Sequence, residues 1–62
     1  MQFPYALVHV DTGLIYTGES GPHWIAKPSL DHPPFTYTAL GASRKLHMFL
    51  NMGHNFIVKR IY

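Results

Sequence analysis

Sixty-two residues bound the chain to a single domain, near the lower limit for folding without a covalent or metal staple. There is no cysteine, which excludes disulfides and cysteine-based zinc sites and suits a reducing cytoplasm. The charge is divided: residues 1–31 carry Asp11, Glu19 and Asp31 against Lys27, whereas residues 32–62 carry Arg44, Lys45, Lys59 and Arg60 and no carboxylate. A field of one sign over half the chain suits an acidic protein surface or a phosphate backbone.

The apolar run from Tyr5 to Val10 has no Lys or Arg before it and no small-residue cleavage site, and it is too short to span a bilayer. It reads as part of a first strand, Phe3–Val10. Asp11-Thr12-Gly13 predicts a tight turn, and Leu14–Thr17 returns as a second strand. A turn of that length pairs Val10 with Leu14 and Val8 with Tyr16. Leu7 and Ile15 then fall on the opposite face beside His9 and Thr17. Neither face of the first strand is clearly polar, which predicts a strand that is central in the sheet or covered on both sides.

Residues 18–34 contain Pro22, Pro28, Pro33 and Pro34 with Gly18 and Gly21, so regular structure is disfavoured there. The loop is not composed like disorder, because Trp24, Ile25 and Leu30 lie within it. Trp24 either covers one side of the sheet or stands out as an anchor for a partner, since tryptophan is frequent among interface hot spots. Phe35–Leu40 is a third short strand or an extended lead into a helix, ended by Gly41.

The helix is predicted over Arg44–Met52, capped by Ser43 and stopped by Gly53 in a left-handed conformation. Ala42, Leu46, Phe49, Leu50 and Gly53 form one stripe that packs on Val8, Tyr16 and Val58. With that start, Arg44 and Lys45 occupy the first turn, where an anion would be favoured. Met48 lies opposite the stripe beside Arg44 and His47 and suits an adaptable contact surface. Phe56 to Tyr62 is the last strand. Phe56, Val58, Arg60 and Tyr62 share one side; Ile57, Lys59 and Ile61 share the other.

Catalysis finds little support: the three carboxylates form no pair of fixed geometry, and no serine sits in a glycine elbow. The five histidines lack the short spacings typical of zinc ligands. The chain is therefore read as non-enzymatic, with no cofactor and no metal.

The run Phe56-x-Val58-x-Arg60-Ile61, after a helix and a glycine, resembles the family of small T7-type phage inhibitors of bacterial RNA polymerase. The family shares near-equal length and the order hairpin, helix, last strand. The resemblance covers mainly residues 37–62 and implies that Arg60 grips the target, although the helix here is basic where the family's is acidic. A second resemblance is to the GIY-YIG nuclease core, through Tyr5, Ile15-Tyr16-Thr17-Gly18, Gly53 and Phe56. It implies only a catalytically dead relic that holds nucleic acid: Phe3-Pro4-Tyr5 replaces the first half-motif, Lys27 stands in place of the catalytic arginine, and the metal-binding glutamate is missing.

The expectation is a single α+β domain over residues 1–62: an antiparallel sheet of three or four strands, with one helix on a face. Its expected function is a non-catalytic interaction module, a phage or mobile-element protein that binds and inhibits a host macromolecule in the cytoplasm. RNA polymerase or defence machinery such as a CRISPR effector are the expected targets. Arg60 is the expected anchor, with Tyr62, Arg44, Lys45, Met48, Lys59 and Trp24 contributing. The alternative is nucleic-acid binding through the four basic residues of the second half, with Trp24 or Tyr62 stacking on bases.

Overall fold

A computed structural model describes residues 3–62. β1 (Tyr5–His9), β2 (Ile15–Tyr16), β3 (Ile25–Ala26) and β4 (Phe56–Arg60) form an antiparallel sheet in the order β3-β2-β1-β4, and α1 (Ala39–Asn51) packs on one face. β1 is central, one of the two positions its apolar composition predicts.

The hairpin register differs from expectation by one residue. Gly13, at φ 72°, donates its N–H to the His9 carbonyl (2.8 Å), and His9 donates to Leu14 (2.7 Å), so Val8 pairs with Ile15 rather than with Tyr16. A slip of one residue exchanges the faces of a strand. Tyr16 therefore joins Leu7 and His9 on the helix face, while Val8 and Ile15 point to the other. Val8 is accordingly not under the helix.

The proline-rich loop is more regular than predicted. Gly21–His23 forms a 3-10 turn with Pro22 at its start, and Ile25–Ala26 returns as β3 against β2. The Thr17 hydroxyl fixes this return by donating to the His23 and Trp24 carbonyls, and the Thr17 N–H donates to Trp24 (3.0 Å). Gly18 makes the turn possible. Its φ is 78°, and a Cβ there would collide with the Phe35 ring. The lead into the helix makes a single bridge, with Tyr5 and Tyr37 exchanging hydrogen bonds of 3.1 and 2.7 Å.

The N-cap of α1 lies five residues before the predicted one. Thr38, in extended conformation, accepts from Gly41 N–H at 3.1 Å and is the N-cap; Ser43 lies inside the helix. Gly41 does not break the helix, because at the third helical position it supplies the capped N–H. A Cβ at Gly41 would sit 3.3 Å from Thr38 Oγ1. The C-terminus follows prediction. His54 N–H bonds Phe49 O (2.9 Å) and Gly53 N–H bonds Leu50 O (3.1 Å), a Schellman closure with Gly53 at φ 85°.

Leu7, Phe49 and Phe56 are buried at the centre, with Tyr16, Trp24, Ile25, Tyr37 and Leu46 packed around them. Phe49 and Phe56 stack at 4.5 Å, and Tyr16 meets Phe49 edge-on at 5.0 Å. The helix stripe is Ala42, Lys45, Leu46 and Phe49, and Leu50, expected inside, is 46% exposed.

Candidate functional site

Four strands leave two edges. β3 offers two residues, but β4 offers five, Phe56–Arg60, of which only Phe56 is buried. The hydrogen-bonding phase of β4 is fixed by its ends: Val10 N–H donates to Asn55 O (2.9 Å) and Ile61 N–H donates to Pro4 O (2.8 Å). In an antiparallel ladder such bonded pairs alternate, so Ile57 and Lys59 direct their backbone groups at β1. Phe56, Val58 and Arg60 direct theirs outward. β1 agrees from its other side, because Tyr5 and His9 bond Tyr37 and Leu14. Among the described residues, the three outward N–H groups have no backbone partner.

Side chains along this edge alternate between the layers. Phe56, Val58 and Arg60 lie on the α1 face, and Ile57 and Lys59 on the other. Ile57 is 53% exposed and Val58 37%, so the edge presents β-branched surface on both faces next to its two cations. Arg60 is exposed and donates from Nε to the Tyr62 carbonyl at 2.8 Å, which holds Tyr62 beside it. No carboxylate occurs in α1 or β4.

The remaining expected site residues are dispersed. Arg44 lies in the second turn of α1, on its outer surface with Met48, one turn further on and also exposed. The reading of Arg44 and Lys45 as a first-turn anion site is corrected by the Thr38 cap, because the free N–H groups belong to residues before Ala42. Lys45 is half-buried, with Nζ 5.2 Å from the Phe49 ring centroid and 5.6 Å from that of Tyr16. It closes the core by a cation–π contact. Trp24 is half-buried against His9, Tyr16, Phe49, His54 and Phe56, with centroid distances of 5.1–6.4 Å. It covers the sheet.

Two features escaped the sequence reading. Ile57 was placed on the face of Lys59 but not marked as contact surface, although a β-branched residue beside a cation at a chain edge was the available signal. Within the loop, His32 Nδ1 lies 2.9 Å from Glu19 Oε2 and stacks on His23 at 4.1 Å, pairings between distant residues with no local signature. Among the described residues, no three His, Asp or Glu side chains converge as metal ligands, and there is no enclosed pocket.

Burial raises the Tyr37 hydroxyl to about 12, with repulsion from Tyr16 adding to it. Tyr37 belongs to the core and not to the edge. Comparison with protein-family models, with curated proteins and with solved structures finds no match.

Proposed function

We propose that the protein is a non-catalytic interaction module that docks the basic open edge of β4 on an acidic surface of a host macromolecule and so inhibits it. This is the mode of action of a phage or mobile-element protein working in the cytoplasm of its host. The reading rests on one observation: among the described residues, the longest unpaired strand edge carries Lys59 and Arg60 with no carboxylate on it or on the neighbouring helix. Exposed strand edges are sites for adding another chain, and native proteins leave them bare at some risk of aggregation. RNA polymerase is the target in keeping with the resemblance of the Phe56–Ile61 run, and defence machinery such as a CRISPR effector is equally compatible.

Arg60 is the anchor, with Tyr62 beside it and Arg44 and Met48 as flanking contacts on the helix. Among the described residues its side chain has no carboxylate partner and no place in the core, so its removal should leave folding intact. Capture of binding proteins from bacterial lysate, with nuclease treatment, tests the proposal. A captured protein should survive nuclease and bind Arg60→Ala at least tenfold more weakly, a loss of about 1.4 kcal/mol, with an unchanged melting temperature. Capture that disappears with nuclease, or that Arg60→Ala leaves intact, overturns it.

A further inference from the structure

The edge that the proposed function rests on has a sharper property: its cations, its apolar side chains and its free amides follow one another in a fixed order. Lys59 and Arg60 are consecutive and therefore project to opposite faces. A strand laid against β4 places its own consecutive residues on opposite faces in the same way. Two adjacent carboxylate residues thus meet both cations, one on each side of the sheet. The next two partner residues come opposite Val58 and Ile57, which are exposed on opposite faces. β-branched residues there complete the apolar pairing across the strands.

We infer that β4 takes up an extended acidic segment of its partner as a fifth, antiparallel strand, bonded to the outward groups of Phe56, Val58 and Arg60 and read in the order acidic, acidic, β-branched, β-branched. This rests on the reading of the protein as a module for an acidic partner and specifies how that partner binds. Antiparallel addition continues the sheet, in which every pair is antiparallel, and antiparallel pairing is slightly the more stable. The orientation sets the order, because residues opposite Arg60 and Lys59 precede those opposite Val58 and Ile57. A second copy of the chain is the poorer occupant. Pairing about Val58 sets Lys59 against Ile57 and Arg60 against Phe56, and it gathers four cations with no carboxylate between them.

The probe is the end-blocked peptide Thr-Glu-Glu-Val-Val-Thr, titrated into isotope-labelled protein while β4 amide exchange is followed by NMR. The Phe56, Val58 and Arg60 amides should slow at least tenfold on binding, while those of Ile57 and Lys59 are protected throughout. The reversed peptide Thr-Val-Val-Glu-Glu-Thr should bind at least tenfold more weakly. Val58→Pro deletes an outward N–H and no bond of the β1 ladder, so it should fold and lose binding at least tenfold. Should that variant misfold, a peptide N-methylated on the amides facing β4 makes the same deletion on the ligand and should bind as poorly. Binding of the acidic peptide without protection of the three amides overturns strand addition and leaves acidic docking standing. Equal binding of a peptide with Lys-Lys for Glu-Glu overturns both. Protection of the same amides in concentrated protein without peptide identifies a second copy as the occupant and overturns the inference.

Discussion

Tyr37 shows how a single side chain ties the lead segment to the core. Its backbone exchanges two hydrogen bonds with Tyr5, and its ring packs on the Leu7, Phe49 and Phe56 cluster. Burial lifts its hydroxyl from the ordinary 10.0 to about 12, so the folded state holds the proton longer than the unfolded chain does. A group raised in this way contributes its full stability below pH 10 and loses it as pH rises through the folded value. Stability should therefore fall between pH 10 and about 12, and Tyr37→Phe should flatten that decline relative to the parent in urea titrations at each pH. An identical alkaline slope in both proteins would remove Tyr37 as its source. Trp24 carries the complementary lesson. A tryptophan in a proline-rich loop is compatible with both core cover and a docking anchor, and the sequence alone leaves the two open. Five aromatic neighbours decide for cover, so loss of Trp24 reports on the core.

Among the elements, local signals that close within a few residues were legible and those requiring a choice between equals were not. Gly53 announced the helix C-terminus because only a residue at ease at φ 85° closes the Schellman bonds at no steric cost. The β-branched and aromatic residues of Phe56–Tyr62 announced the last strand. The helix start was read at Ser43, with Gly41 ending the lead before it by its usual role as a breaker. The structure chooses Thr38, at the cost of glycine in the first turn, because the earlier start brings Tyr37 over the core. The hairpin misled for a related reason. Asp11-Thr12-Gly13 fits turns of more than one length, and the true register is the one that puts Tyr16 beside Phe49. The cap makes a direct comparison possible. Thr38→Ala should cost about 1 kcal/mol in chemical denaturation, whereas Ser43→Ala, exposed within the helix, should stay within about 0.5 kcal/mol. The reverse ranking would return the helix start to Ser43.

At the scale of the whole molecule, two layers separate charges that the sequence places together. The described residues span 30 × 26 × 18 Å, with α1 over one sheet face. Arg44 stands on the outer surface of the helix, Lys45 folds over Tyr16 and Phe49, and Arg60 and Lys59 leave β4 toward opposite faces. A duplex is a rigid cylinder with phosphates along its outside, and no single approach brings it against all four cations. About two phosphate contacts is then the ceiling, and each contributes about −0.9 to the slope of log affinity against log salt. Fluorescence anisotropy with duplex DNA should therefore give a slope no steeper than about −2 and no micromolar binding at physiological salt. An acidic strand along β4 needs only Lys59 and Arg60, one on each side, and its attraction is reinforced by backbone hydrogen bonds that salt leaves largely intact. Micromolar duplex affinity with a steep slope would reverse the preference and make nucleic acid the ligand of the basic half.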